Sequence, residues 1–247
     1  KQFLNASGAP TVAFASADSG EEAAGAIAVM GAPVLMKTRR EGYDGKGQRW
    51  VEQAGEAAAA FDALGGVPVI LEAQANFVRE LSVIAARGRD GGTAIYPLSE
   101  NYHEHGILRR TLAPAKVNAG VAEQAERIAV RVLEGLNYVG VLGIELFELK
   151  DGRLLVNEIA PRVHNSGHWT QDGCPADQFE QHVRAVAGWP LAPTEPYARV
   201  EMLNLLGDEA DQWARLAQEP ESRLHLYGKR EAKRGRKMGH VNKVRPL

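Results

Sequence analysis

Glu145 and Glu158 stand in two apolar runs, Val141 to Phe147 and Leu154 to Ile159, on either side of the turn-forming pair Asp151-Gly152. A short hairpin centred on that pair sets residue 149 against 154, 148 against 155 and, continuing, 145 against 158. The two carboxylates then face each other with Cβ atoms about 4.5–5.5 Å apart, a spacing at which like charges repel. A shared divalent cation, magnesium with phosphate oxygens completing its shell, resolves the conflict. The alternatives are a glutamate solvated at a sheet edge with its neighbour paired to a distant arginine, or a bulged turn that slips the register by one residue.

A phosphate site is legible upstream. Lys37 ends the apolar run Pro33-Val34-Leu35-Met36 and leads into Glu41-Gly42-Tyr43-Asp44-Gly45-Lys46-Gly47-Gln48. Glycines at 42, 45 and 47 can point successive backbone N–H groups at an anion, and Arg39, Arg40 and Lys46 add charge. This is not a Walker A loop, which needs Gly-Lys-Ser/Thr before a helix. A glycine-rich hairpin closing over phosphates is the better analogy, and an ordinary hairpin tip is the alternative. Val69-Ile70-Leu71-Glu72 then runs into Ala73-Gln74-Ala75. Such a strand end can offer backbone groups to adenine. Glu72 can accept from the adenine amino group, and Glu80 can bind ribose hydroxyls.

These groups need elements to position them. Runs 33–37 and 67–72 read as strands around an alanine-rich helix within 52–64. Runs 77–87 and 93–98 read as two strands joined by Arg89-Asp90-Gly91-Gly92. The clearest helix is Val121 to Leu136, with Ala125, Ile128, Ala129, Val132 and Leu133 on one face and Asn137 as its stop. Strands and helices mix, so the expected class is α/β (α+β). Leu191 to Pro196 reads as a linker, which divides the chain into a nucleotide-binding and catalytic region, 1–190, and a small strand-rich domain, 191–247.

Composition bounds the rest. At 247 residues, 45% apolar and 24% charged, the chain has the profile of a globular protein with a real core. A net charge of −2 gives no global field toward nucleic acid or membrane. No apolar run approaches a membrane span, and nothing reads as a signal peptide. The single cysteine, Cys174, excludes an internal disulfide and suits a reducing compartment, so a cytoplasmic location is expected. Within 221–247, nine Lys or Arg face two Glu, which reads either as a solvated tail or as an ordered segment with an anion to hold.

Taken together, the chain resembles the ATP-grasp superfamily and, within it, the ATP-dependent 5-(carboxyamino)imidazole ribonucleotide synthases. The match is carried by Lys37 with Arg39 to Gln48, and by Tyr96-Pro97-Leu98-Ser99-Glu100-Asn101 followed by His103 and Gly106 to Arg109. It is also carried by Asn157-Glu158-Ile159-Ala160-Pro161-Arg162-Val163-His164-Asn165-Ser166-Gly167-His168-Trp169-Thr170, and by Gly235 to His240. The resemblance implies an ATP-grasp fold with a small strand-rich C-terminal domain, and ATP and magnesium as cofactors. It places Lys37, Gly42 to Gln48, Glu72 to Ala75, Glu80, His103, Asn157 and Glu158 at ATP, and Glu145 and Glu158 on magnesium. It places Tyr43, Asp44, Arg162, His164, Lys229 and Arg236 at the ribonucleotide, with Lys229 and Arg236 on its 5′-phosphate. Lys37, Asp44, Arg162 and His164 are the implied catalytic residues, and a homodimer is implied.

Two departures stand out. Glu41 occupies a position where the family usually has glycine, and nothing matches the family's Rossmann-like N-terminal domain, so a fragment of a longer chain is expected. The implied reaction phosphorylates bicarbonate with ATP and transfers the carboxyl to aminoimidazole ribonucleotide. The enzyme's work is positioning, charge neutralisation and water exclusion. The nearest alternative is a sister ligase such as the formate-using glycinamide ribonucleotide transformylase, against which His164-Asn165-Ser166-Gly167-His168 weighs. A non-catalytic nucleotide-binding module would not need Lys37, Glu145 and Glu158. A nucleic-acid binder would show a stacking platform that is missing here.

Overall fold

In the computed structural model, every residue except Glu41, Tyr43, Asp44, Gly45 and Arg234 is described. The chain divides into two compact units, Lys1 with Thr11–Asn76, and Gln2–Pro10 with Phe77–Leu247. A short helix, α1 (Gln2–Ala6), belongs to the second unit although it precedes the first in sequence.

The first unit comprises β1 (Phe14–Ala17), α2 (Gly20–Met30), β2 (Val34–Thr38), β3 (Gln48–Val51), α3 (Ala57–Ala63) and β4 (Val69–Ala73). Its strands form an antiparallel sheet in the order β1-β4-β2-β3. Strand period two turns Val34, Met36, Val69 and Leu71 toward Ile27 and Phe61 of the helices. The same period leaves Lys37 on the other face. Helix α2 is absent from the sequence reading because its alanines carry little periodic contrast. Its start is nonetheless specified: the Ser19 hydroxyl accepts from Glu22 N at 3.1 Å.

The second unit continues with β5 (Phe77–Arg87), β6 (Thr93–Ile95), β7 (Ser99–Glu104), β8 (Ile107–Ala113), α4 (Ala119–Gly135), β9 (Gly140–Leu149) and β10 (Leu154–Ala160). There follow α5 (Thr170–Gly173), α6 (Gln178–Ala187), β11 (Ala198–Leu206), α7 (Trp213–Leu216), β12 (Ser222–Leu226) and β13 (Lys237–Pro246). The strands form one sheet ordered β10-β9-β5-β7-β8-β11-β13-β12, with β6 paired to β5. β6 stops at Ile95, short of the expected residue 98, because Pro97 has no N–H to extend the ladder. One sheet face, carrying Leu81, Val83, Leu142, Ile144, Leu146 and Val156, packs under α4. Asn118 caps α4 by accepting from Val121 N at 2.9 Å, and Asn137 follows its end at φ 45°. The opposite face packs Ile84, Ala86 and Val141 with Trp169 and, nearer the far ends of its strands, carries the polar groups described next. Strand β11 pairs with β8, so the segment beyond the irregular stretch 191–196 extends this same sheet. No helix among the described residues is long and apolar enough to cross a membrane.

Candidate active site

The β9–β10 hairpin does bring Glu145 opposite Glu158, but by a different route from the one its turn suggests. Gly152 takes φ 81°, and Leu149 N donates to Arg153 O at 2.9 Å, so the loop is residues 150–152. The left-handed glycine permits this loop, and it sets Leu154 against Glu148 rather than against Leu149. One extra residue, Asn157, then shifts the register back between Val156 and Glu158. A bulge sets two residues against one, so Asn157 and Glu158 both lie opposite Glu145. Asn157 Nδ2 donates to Glu145 Oε2 at 3.3 Å.

The same sheet face carries a polar row across the neighbouring strands. Ser82 of β5 opposes Glu145, and Ser99 of β7 opposes Ser82. One step along, Glu80 lies opposite both Phe147 and Asn101. His103 Nδ1 hydrogen-bonds Glu80 Oε2. Burial pulls the His103 ring down, but the Glu80 hydrogen bond and charge hold it above its ordinary value.

His164 joins this face after β10. Its Nε2 lies 3.2 Å from Glu145 Oε1. Its ring rests on β9 where a side chain cannot be accommodated, since a Cβ on Gly143 would lie 2.7 Å from His164 Cβ. The buried Gln178 side chain clamps the His164 backbone from both sides, accepting from His164 N and donating to His164 O, each at 2.8 Å. Burial works against ionisation of Glu145. Hydrogen bonds from His164 and Asn157 work the other way and keep its carboxyl below the ordinary value.

In the first unit, Lys37 Nζ lies 2.9 Å from Glu72 Oε2, and Lys1 Nζ lies 3.3 Å from Glu72 Oε1. Glu72, expected at an adenine amino group, is buried between two ammonium groups. Gln48 opposes Lys37 across the β2–β3 pair, so the glycine-rich segment is indeed a hairpin connection. Gly47 turns at φ 70°, where a Cβ would lie 2.7 Å from Thr38 Oγ1. Gly42 and Lys46 belong to that connection, whereas Tyr43, Asp44 and Gly45 lie outside the described residues. Ala73 N is engaged with Ala13 O at 2.9 Å, and Gln74 and Ala75 follow in irregular backbone.

The basic candidates lie on two segments of the second unit. Arg162 follows β10, is exposed, and donates to Val163 O at 2.9 Å. Lys229 and Arg236 stand between β12 and β13, where Lys229 Nζ donates to Lys237 O at 2.7 Å and Arg236 to Glu231 O at 3.1 Å. The sequence reading assigned no role to Ser82, Ser166 or Gln178. Its one available signal was a polar residue interrupting an apolar strand, as Ser82 does between Leu81 and Val83.

Residues 2–179 match the family model of the ATP-grasp domain, and residues 201–246 match that of the phosphoribosylaminoimidazole carboxylase C-terminal domain. A Brucella melitensis protein named N5-carboxyaminoimidazole ribonucleotide synthase is 49% identical across 100% of this chain and 68% of its own length. The chain belongs to the N5-carboxyaminoimidazole ribonucleotide synthase family. The solved synthase from Thermus thermophilus is similar at 43% identity and a TM-score of 0.91, covering 99% of this chain and 66% of that one. An Aspergillus clavatus synthase, in complex with ADP and 5-aminoimidazole ribonucleotide, is similar at 30% identity and a TM-score of 0.92. That alignment covers 100% of this chain and 67% of the other. The chain thus spans about two thirds of the length of the synthases it matches.

The ATP-grasp fold accounts for the carboxylate arrangement. Two opposed carboxylates and an amide oxygen on one strand pair are hard oxygen donors of the kind magnesium takes. A Glu145 carboxyl held below its ordinary value adds the charge such an ion requires. The residues present fit a divalent cation.

Proposed function

We propose that the protein carboxylates the exocyclic amine of 5-aminoimidazole ribonucleotide with bicarbonate at the expense of ATP, giving 5-(carboxyamino)imidazole ribonucleotide, ADP and phosphate. The observation that carries this reading is the bulged β9–β10 hairpin, which turns Asn157 and Glu158 together toward Glu145 at the head of the 157–170 segment. The ADP and ribonucleotide bound to the Aspergillus clavatus synthase support the choice of ligands.

In the first step a bicarbonate oxygen attacks the γ-phosphorus of ATP and ADP departs, leaving carboxyphosphate. In the second, the amine nitrogen forms its bond to the carboxyl carbon, phosphate leaves and the nitrogen gives up a proton. Glu145 and Glu158 would hold magnesium, which when bound offsets charge on the transferring phosphoryl group. Lys37 supplies an ammonium to the phosphates. Gly42, Tyr43, Asp44, Gly45, Lys46, Gly47 and Gln48 cover them, and Tyr43 and Asp44 also reach the ribonucleotide. Glu72, Ala73, Gln74 and Ala75 take adenine. Glu80 binds the ribose hydroxyls, and His103 and Asn157 contact the nucleotide beside it. Arg162, His164, Lys229 and Arg236 hold the ribonucleotide, the last two at its phosphate, which gives residues 191–247 their role as a basic substrate-binding segment. A homodimer in the cytoplasm completes the reading, and the free, buried Cys174 suits that compartment.

A coupled assay of ADP release tests the proposal. ADP formation should require aminoimidazole ribonucleotide and bicarbonate together. Equal release with glycinamide ribonucleotide and formate would assign the chain to a sister ligase.

A further inference from the structure

Behind His164 runs a chain of buried hydroxyl and amide groups that none of the assigned roles uses. Thr111, Ser82 and Ser166 are fully buried, Ser99 and Asn101 nearly so. Thr111 Oγ1 donates to Asn101 Oδ1 at 2.9 Å, and Asn101 Nδ2 donates to Ser82 Oγ at 2.9 Å. Ser82 Oγ lies 2.9 Å from Ser99 Oγ and 2.7 Å from Ser166 Oγ. Ser166 Oγ lies 2.8 Å from His164 Nδ1. These groups come from β5, β7, β8 and the segment after β10, so the chain crosses the sheet and ends on the ring that touches Glu145.

Proton counting gives the chain a direction. A serine hydroxyl has one proton to donate and two lone pairs to accept with. The Asn101 amide nitrogen can only donate, so Ser82 accepts from it. With a second lone pair taken by Ser99, the one Ser82 proton goes to Ser166, the shortest of the three contacts. Ser166 then has its own proton left for His164 Nδ1. The Ser166 main-chain N–H, 3.3 Å from the same nitrogen, points there too. Two donors aimed at Nδ1 require it to carry a lone pair, so the ring proton sits on Nε2, 3.2 Å from Glu145 Oε1. Buried groups of this kind are costly unless every one is satisfied. Here each donates or accepts along one line.

We propose that Asn101, Ser82 and Ser166 are positioning residues that fix His164 as its Nε2–H tautomer, so that the ring donates to Glu145 and holds that carboxylate in one orientation. The proposal rests on the reading of Glu145 as a catalytic-centre ligand. It narrows His164 from a group that exchanges protons with substrate to one whose Nε2–H orients Glu145. Histidine is recruited for this because its two nitrogens are coupled: the bond made at one decides which role the other plays. Ser82 makes no contact with the ring, which makes it the informative position to change.

The test is the tautomer itself, read by long-range proton–nitrogen NMR of the ring nitrogens in histidine-labelled protein without ligands. The His164 signals are identified by their loss in His164→Gln. The expected wild-type pattern is a protonated Nε2 and an unprotonated Nδ1. Ser82→Ala and Ser166→Ala should each give a mixed population of the two tautomers. Each should also lower kcat roughly 10-fold while KM for aminoimidazole ribonucleotide stays within about twofold. A wild-type ring protonated at Nδ1 would overturn the proposal. So would a Ser82→Ala protein that folds and keeps both the wild-type tautomer pattern and the wild-type kcat. Should Ser82→Ala fail to fold, Ser166→Ala decides on the same two readouts. Because the NMR needs no substrate, a wild-type chain with the expected tautomer and no carboxylation would contradict the functional reading and leave this one standing.

Discussion

At the scale of single residues, the opposed glutamates make the sharpest demand. Glu158 is exposed, so Glu158→Gln should leave folding stability within about 0.5 kcal/mol of the wild type. The same change removes one of two carboxylates from the phosphoryl-transfer centre and should lower ATP cleavage by roughly 100-fold or more. Turnover like the wild type, measured as ADP release, would take both glutamates out of the mechanism. A second residue-scale expectation concerns stability and pH. The rings of His168 and His240 stack at 4.6 Å, His225 stacks on His240 at 4.5 Å, and Tyr227 bonds His240 Nδ1 at 2.8 Å. Burial first, and neighbouring histidine charge second, push His240 down to about 2 and His168 down to about 4. Both folded values lie below the ordinary value near 6.5. As pH falls below that value the unfolded chain takes up protons that the fold refuses, and stability declines toward pH 4. Above pH 7 neither state holds these protons and the contribution is flat. The urea midpoint should therefore fall between pH 7 and 4, and fall less steeply in His240→Asn. Identical slopes in the two proteins would contradict the assignment.

At the scale of elements, the β9–β10 hairpin shows what a sequence reveals and what it hides. The facing of Glu145 and Glu158 was legible from Asp151-Gly152 and the two apolar runs. The actual path, a tighter loop at Gly152 followed by a bulge at Asn157, was not, because two opposite one-residue shifts cancel by the time the glutamates are reached. Helix α4 was legible to within two residues because its apolar stripe is regular, while α2 was not because alanine sits comfortably on either face. Lys37 and the glycine hairpin were legible as types and spacing. The polar chain from Thr111 to Ser166 was hidden because its members are single polar residues, brought together only by strand register across β5, β7 and β8. The cancelling shifts lead to an expected outcome. Deleting Asn157 returns β10 to a regular ladder with glutamate still opposite Glu145, so stability should change by no more than about 1–2 kcal/mol. Loss of the Asn157–Glu145 hydrogen bond should lower ATP cleavage roughly tenfold. An unchanged cleavage rate in a folded deletion protein would make the bulge purely structural.

At the scale of the whole molecule, each unit holds its own share of the chemistry. The first carries an ammonium and glycine backbone suited to phosphates, and the second carries opposed carboxylates with a supported histidine. Neither share alone specifies a reaction. Glu145, Glu158 and Lys37 suit any ATP-grasp ligase, and the segment 157–170 with residues 229–240 narrows the choice to a carboxylase. Bicarbonate labelled with oxygen-18 therefore tests the central claim most directly. If ATP is cleaved by attack of a bicarbonate oxygen on the γ-phosphorus, one labelled oxygen must leave in the inorganic phosphate. Phosphorus NMR of a reaction containing Mg-ATP, labelled bicarbonate and aminoimidazole ribonucleotide should show that isotope-shifted phosphate accumulating in step with the carboxylated ribonucleotide. Phosphate carrying only oxygen from water, or labelled phosphate without carboxylated product, would contradict the account.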